Sequence, residues 1–239
     1  MIWELLCGIF FLLHALHGGI MMKNVFDFAK YFMKKGLDTA PNTIDGNMKL
    51  QKLLTFATLI SMAKGEGRLF SEEILAFKNG CVIESVRLRY RNDYSGFKKD
   101  SENFNPDFSE EEYDTLNKTI GIFGNLSAAE LSELNHQFDF WKNAFEKGTG
   151  QNGYHHQGQS AISDADIEAE LEKIRDVLAA YEKTQQDNIR SEVINGIKYY
   201  FAPDFVLTEK IIEELEIFSK EADEDVYSIY MDEGELVIY

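Results

Sequence analysis

The chain has 239 residues and a net charge of -17, and its 44% of hydrophobic residues is typical of a folded globular protein. The acidic excess argues against a protein that coats DNA or RNA, because phosphate binding needs clustered lysine and arginine. Its two cysteines, Cys7 and Cys81, exclude a disulfide framework and a four-cysteine zinc site, and we expect free thiols in a reducing cytosol.

Charge is distributed unevenly along the chain. Residues 21–100 carry a net charge of +5, whereas residues 101–190 carry -11 and residues 191–239 carry -10. The basic and acidic parts can pack on each other, or the acidic part can form a surface for a basic partner. A solvated acidic surface that favours solubility is a third explanation.

Residues 1–20 contain an apolar run at 5–13, which is far shorter than the ~20 residues of a membrane span. The segment carries Glu4 and no basic residue, unlike a secretory signal. Three interpretations stay open: a start codon assigned too early, with the true start at Met21 or Met22, a short membrane-associating segment, or a packed helix.

A helical body is predicted over residues 22–147. Its first helix shows one apolar face and ends near Gly36, and a loop follows at 37–46. Asn47 is the expected N-cap of a second helix that runs to Lys64.

The middle of the body has weaker signals. Residues 74–78 are compatible with a short strand or with an irregular helical turn, and Asn79-Gly80 indicates a turn. We predict a helix over 82–91 and a loop over 92–108, where apolar residues show no period.

Two capping boxes mark the helix starts that follow. Ser109 with Glu112 opens one helix, and Ser127 with Glu130 opens another. Helical periodicity continues over residues 138–145.

The rest of the chain divides into three predicted segments. Residues 148–162 are interpreted as a flexible loop, and residues 163–188 as one long helix capped by Ser163. Residues 190–239 are predicted to form an acidic α+β appendage: an Asn-Gly hairpin, a helix over 208–221 and a second hairpin. The predicted fold is therefore mainly α, with a small C-terminal hairpin–helix–hairpin appendage.

A search for catalytic motifs finds no phosphate-binding loop, dinucleotide fingerprint, nucleophile elbow or zinc-protease helix. His136 precedes Asp139 by three residues, so the two can form a general base in an uncharacterised hydrolase. The alternative for His136 is structural, at the end of the Ser127 helix. His155 and His156 are interpreted as solvent-exposed, and we expect no metal site and no cofactor. The residues alone favour a cytoplasmic protein that binds rather than catalyses.

Three motifs share their order and spacing with one known family. Residues 48–57 (MKLQKLLTFA) are close to K-L-Q-K-L-L-Y-F-A. Residues 69–82 (LFSEEILAFKNGCV) follow E-x-I-x-A-W-x-x-G-P-V. Residues 126–136 (LSAAELSELNH), with Trp141 and Ala144, follow S-A-x-x-L-S-x-L-T-H ending in W-x-x-A. This part of the chain resembles the Panacea domain, the antitoxin domain of SocA-like and phage-associated proteins.

The chain departs from the family pattern at three places. Cys81 stands where the family has the proline of Gly-Pro, so a stiffened turn is lost. Phe77 replaces the usual tryptophan, and Asn135 replaces the threonine of Thr-His. We expect Asn135 to supply a capping side chain in place of threonine.

The resemblance implies an antitoxin, not an enzyme, that neutralises a toxin encoded by a neighbouring gene through direct binding. An alternative is a proteolytic adaptor that delivers the toxin to a ClpXP-type protease. The expected partners are a protein toxin and, in the alternative, a cytosolic protease. We expect no nucleic acid, and a membrane only if residues 1–20 are translated.

The polar members of the motifs are the predicted partner-binding residues: Lys49, Gln51, Lys52, Asn79, Gly80 and His136. Two of them, Lys49 and Lys52, lie three apart on one helix face, where they can meet carboxylates of a partner or of this chain. The apolar members are the predicted core: Leu50, Leu53, Leu54, Phe56, Leu131, Leu134 and Trp141. The hairpin edges of 190–239 can pair with a partner strand, or the sheet can simply complete the domain.

Overall fold

The computed structural model describes residues 23–151, 153–187, 189–232 and 234–239. The segment 1–20, with Cys7, lies outside the described residues. The chain divides into two compact units, and the boundary follows Asp176. Within the described ranges, no helix is long and apolar enough to cross a bilayer.

Helix α2 (Ile44–Ala63) is the centre of the first unit, and every residue from 49 to 63 is buried. It contacts α1 (Val25–Lys34) and several later elements on its other sides, so residues 49–63 are buried on every face of the helix. The predicted N-cap was wrong. Thr43 caps the helix by accepting a hydrogen bond from the Gly46 amide at 3.1 Å, and it lies four residues before the predicted cap.

A two-stranded hairpin follows, formed by β1 (Leu75–Phe77) and β2 (Gly80–Val82). The strand alternative for residues 74–78 is therefore confirmed. The predicted helix begins only at Glu84, as α3 (Glu84–Asn92), because Val82 belongs to β2.

The loop predicted over residues 92–108 was wrong in its first half, which forms α4 (Tyr94–Glu102). The Asp93 side chain caps this helix by accepting from the Gly96 amide at 3.1 Å. Only two of its nine residues are buried, so the segment shows too few apolar positions for a helical period.

Three further helices complete the body: α5 (Glu110–Phe123), α6 (Ala128–His136) and α7 (Asp139–Gly148). Both predicted capping boxes are confirmed, with the serine and glutamate of each pair bonding reciprocally to main-chain amides.

Residues 148–162 make more contacts with the body than expected of a flexible loop. They contain one 3₁₀ turn (Gln157–Gln159), and His155 stacks on Phe145 with ring centroids 4.5 Å apart. The Ser160 carbonyl accepts from the Ala76 amide of β1 at 2.8 Å. His155 is half-buried, so its interpretation as a solvent-exposed residue was wrong.

The long helix predicted over 163–188 is two helices, α8 (Asp164–Glu168) and α9 (Leu171–Asp187). Ser163 does cap the first, accepting from the Asp166 amide at 3.2 Å. The division between the two compact units falls inside α9.

Beyond α9, the described residues of the second unit form a four-stranded sheet and a further helix. Strands β3 (Arg190–Ile194) and β4 (Ile197–Phe201) form the predicted hairpin, with Asn195 and Gly196 at positive φ as a type I′ turn requires.

Helix α10 (Glu209–Phe218) links this hairpin to a second one, formed by β5 (Val226–Asp232) and β6 (Glu235–Ile238). Strand β5 runs parallel to β4, and the sheet order is β3-β4-β5-β6. The predicted fold class, mainly α with a small β-containing appendage, is confirmed.

The predicted core of the motifs is largely buried. Five of its seven members are at most 1% exposed: Leu50, Leu53, Leu54, Phe56 and Leu131. Leu134 and Trp141 are only half-buried. Trp141 keeps a polar contact that explains its position, described below.

Candidate functional site

The β2 side of the hairpin β1–β2 is held by polar side chains, whereas its β1 side bonds to the main chain of residues 160–162. From α2, Gln51 accepts a hydrogen bond from the Ile83 amide at 2.8 Å, and the Lys52 ammonium donates to the Cys81 carbonyl at 2.9 Å. Both side chains are fully buried, so these bonds satisfy main-chain groups that water does not reach.

Helices α6 and α7 bind the same hairpin from another side. Asn135 accepts from the Cys81 amide at 2.9 Å, and the Ser132 hydroxyl donates to the Asn79 carbonyl at 2.8 Å. The Trp141 indole donates to the Phe77 carbonyl at 3.0 Å. The three sequence motifs therefore converge on one hairpin. Asn135 does not act as the capping group expected of it.

Gly80 allows this close packing. Its φ of +95° favours glycine, and a Cβ atom at this position would lie 2.9 Å from both Cε and Nζ of Lys52.

A cavity of about 490 Å³ opens between the start of α2, the hairpin and α3. Its walls are mostly apolar, and its polar lining includes predicted site residues of the first two motifs. It is lined by Asn42, Thr43, Ile44, Asn47, Met48, Gln51, Lys52, Phe77, Lys78, Asn79, Val82, Arg87, Tyr90 and Arg91.

Burial changes the acidity of two groups beside this cavity. It lowers the pKa of Lys52 to about 8, while the neighbouring Cys81 partly opposes the shift. Burial also raises the pKa of the Cys81 thiol to about 12, with Lys52 opposing that shift. Cys81 therefore stays protonated and unreactive at neutral pH.

A buried hydroxyl network supports the far wall of the cavity. Tyr90 and Tyr94 both donate to one carboxylate oxygen of Asp38, at 2.9 and 3.0 Å, and the Asn42 amide donates to the Tyr90 oxygen at 3.0 Å. Burial, followed by hydrogen bonding to Asp38, raises the pKa of Tyr94 to about 12. Tyr90 is thereby fixed as a neutral wall residue.

The structure separates the six predicted partner-binding residues. Gln51, Lys52 and Asn79 line the cavity, and Gly80 lies buried behind it. Lys49 lies elsewhere, buried, and donates to the Gly124 carbonyl at 2.8 Å.

Among the described residues, neither Lys49 nor Lys52 forms a salt bridge with a carboxylate, although Glu130 lies near enough to Lys49 to interact electrostatically. Both ammonium groups bond to backbone carbonyl oxygens, because both lie inside a helix that other elements surround.

His136 and Asp139 do not form the pair that a general base needs. The Asp139 carboxylate accepts from Lys142 at 2.9 Å. His136 stacks on Trp141, with ring centroids 4.0 Å apart, and bonds to the backbone of Lys78. Burial, and then the positive charge of Lys52, lower the pKa of His136. These contacts match the structural alternative for this histidine.

Sequence reasoning missed the α3 side of the cavity. Arg87 and Arg91 lie four residues apart, a spacing that places both on one helix face and that could have indicated a basic wall. Among the described residues, no group of three His, Cys, Asp or Glu side chains could hold a metal ion.

Comparison with known families agrees with this geometry. Residues 50–142 match the model of the family described as "Antitoxin SocA-like, Panacea domain". The matched segment includes the side chains that hold the hairpin: Gln51, Lys52, Ser132, Asn135 and Trp141. The resemblance to the Panacea domain that the motifs predicted is therefore confirmed over residues 50–142. Comparisons with curated proteins and with solved structures return no match.

Substituting Gly80 tests the packing of Lys52 against the hairpin. We expect Gly80→Ala to lower the free energy of unfolding by about 2–4 kcal/mol, from strain at positive φ and from overpacking. Gly67→Ala is the matched control, because Gly67 has φ +79° with nothing within 4 Å of the added methyl. Gly67→Ala should lower the free energy of unfolding, measured by urea denaturation, by only about 1 kcal/mol. Equal losses in the two variants would contradict the packing argument.

The lowered pKa of Lys52 predicts a pH-dependent stability. The native state releases this proton near pH 8 and the unfolded chain near 10.5, so unfolding free energy should rise with pH between these values. Relative to Lys52→Met, the wild type should gain on the order of 3 kcal/mol across this window. Denaturation at pH 7.5 and 10.5 measures the difference, with the exposed Lys99→Met as control. Lys99→Met keeps Lys52 and should gain stability like the wild type, whereas an equal gain in Lys52→Met would remove Lys52 as its source.

Proposed function

We propose that the protein is the antitoxin of a toxin–antitoxin pair and acts in the cytoplasm by binding its toxin rather than by catalysis. The match of residues 50–142 to the SocA-like Panacea family carries this proposal. The absence of a His136–Asp139 pair and the inert state of Cys81 agree with a binding role.

We further propose that the second unit supplies the toxin-binding surface. Side chains alternate across its sheet, and one face packs against α10 around Tyr199 and Leu215. The opposite face exposes four large apolar residues, between 46% and 71% accessible: Val193, Val226, Tyr230 and Tyr239. We name these four residues the outer sheet face.

Strand pairing places these residues together. Val193 is paired with Lys198, which is in turn paired with Val226, so the three share one face. Tyr239 pairs with Ser228 through two backbone hydrogen bonds, and its ring lies 5.7 Å from that of Tyr230. A sheet face that exposes several large apolar side chains is typical of a protein-binding surface.

Charge favours a basic partner for this surface. Residues 191–239 carry a net charge of -10, and β3 and β6 are the edge strands of the sheet. A basic toxin would be drawn to the acidic unit, and its apolar side chains would then cover the outer sheet face.

The first experiment uses the neighbouring open reading frame, expressed alone and together with this chain, with growth as the measurement. We expect growth arrest when the neighbour is expressed alone and recovery on co-expression. Co-purification of the two proteins from a strain without ClpXP, with growth still rescued there, supports direct binding. Rescue only in the presence of the protease would instead support a proteolytic adaptor. A harmless neighbour, or toxicity without rescue, would contradict the pairing.

The outer sheet face is tested by single substitutions in the rescue assay. We expect Val193→Lys to abolish rescue and co-purification, because a charge would be buried in the proposed interface. Val206→Lys is the matched control, since Val206 is 70% exposed in the same unit but lies outside the strands. Rescue by both variants would place the toxin elsewhere on the molecule.

Truncation gives a coarser test of the same surface. A chain lacking residues 190–239 should lose rescue while its helical body keeps a cooperative thermal transition. A folded truncated chain that still protects cells would contradict a role for the second unit.

A further inference from the structure

The cavity of the first unit is not used by the proposed toxin interface. Its volume of about 490 Å³ lies within the range of small-molecule sites, about 300–1,000 Å³. Most of the exposed wall is apolar, with Met48, Phe77 and Val82 among its residues, although many of the lining residues are polar or basic. An apolar wall bordered by polar groups is typical of sites that bind an apolar molecule and orient it through polar contacts.

The charge of the lining is opposite to that of the protein. The chain has a net charge of -17, yet none of the lining residues is acidic. Four lining residues are basic: Lys52, Lys78, Arg87 and Arg91. Glu84 neutralises Arg87 through two contacts of 2.6 Å. Arg91 contacts only a neutral amide, that of Asn92 at 3.1 Å, among the described groups. The cavity is therefore a local positive region on an acidic molecule.

Lys52 places a cation where water cannot solvate it. Its residue is 0% exposed, and its ammonium donates to the neutral Cys81 carbonyl. No carboxylate of the described residues forms a salt bridge with it. A buried cation without a counter-charge is unfavourable, and an anion in the adjoining cavity would lower this cost.

The mouth of the cavity exposes a further apolar group. Ile44, the first residue of α2, is 82% accessible although it is a large aliphatic side chain. It lines the cavity together with Arg91, so an entering molecule would meet an apolar and a cationic group at the rim.

We propose that this cavity binds a small organic anion: an apolar, planar body contacting Met48, Phe77 and Val82, with a carboxylate, sulfonate or phosphate group compensating Lys52 and Arg91. The concave shape of this open cavity, its volume and its mixed lining favour a small molecule over a flat protein surface. The residues of this cavity are not part of the outer sheet face, so a negative result for the cavity would not contradict the proposed function.

The test compares two fluorescent probes that differ in charge. Anilinonaphthalene sulfonate carries an anionic group, and N-phenylnaphthylamine has the same rings without it. We expect the full chain to bind the anionic probe saturably and at least about tenfold more tightly than the neutral one. Equal affinity for the two probes would overturn the proposal.

Variants locate the probe on the molecule. Arg91→Gln and Lys52→Met should each reduce the preference for the anionic probe about tenfold. Asn79→Trp should reduce the binding of both probes by filling the mouth. The exposed Lys99→Gln is the control and should bind like wild type. Arg91 is a surface residue, so its variant keeps the test decisive if Lys52→Met does not fold. Unchanged binding in Arg91→Gln and Asn79→Trp would show that the probe lies elsewhere and would overturn the assignment.

Competition identifies the anionic group. Naphthoate or naphthyl phosphate should displace the probe, and the better competitor gives the preferred headgroup. Naphthamide, an uncharged analogue, should not displace it at equal concentration, and displacement as strong as that by naphthoate would contradict a charge-based site.

Discussion

The first unit depends on the burial of a hairpin whose strands have only three residues each. A hairpin of this size is not stable alone, and both of its edges present main-chain groups that need partners. The Ser160 carbonyl satisfies the β1 edge at Ala76. Lys52 and Asn135 satisfy the β2 edge at Cys81. Each bond left unmade would cost about 1–3 kcal/mol, so helices on both sides must hold their positions.

This constraint also creates the cavity. The amine of Lys52 must reach the Cys81 carbonyl from α2, and Gly80 must lack a side chain to admit it. The same lysine then brings its charge to a space that Met48 and Phe77 make apolar. One side chain thus stabilises the hairpin and determines the electrostatics of the neighbouring cavity.

Sequence reasoning predicted the parts of the fold that local chemistry determines. The two capping boxes and the Asn195-Gly196 turn were correct because their hydrogen bonds close within a few residues. Helix α4 was missed because its start depends on Asp93 alone, without an apolar period. Helices α8 and α9 were predicted as one helix for the opposite reason: their apolar residues keep a helical period across the turn that separates the two helices.

The candidate site was predictable only in part. The motifs drew attention to Gln51, Lys52 and Asn79, and all three line the cavity. The burial of Gln51 and Lys52 could not be read from the sequence, because polar side chains such as lysine are usually exposed. The partners that permit burial are backbone groups 29 and 32 positions away, at Cys81 and Ile83. Contacts between residues so far apart in the chain cannot be predicted from the local spacing of residue types.

The amide of Cys81 gives a reason for two departures from the Panacea pattern. Where the family has proline this chain has Cys81, and only a residue with an N–H can donate to Asn135 at 2.9 Å. Where the family has threonine this chain has Asn135, whose longer side chain accepts that bond. The two substitutions therefore act as a coupled pair. A proline at position 81 alone would leave the buried Asn135 oxygen without its donor, so the two positions can adopt the family's residues at low cost only if both change together.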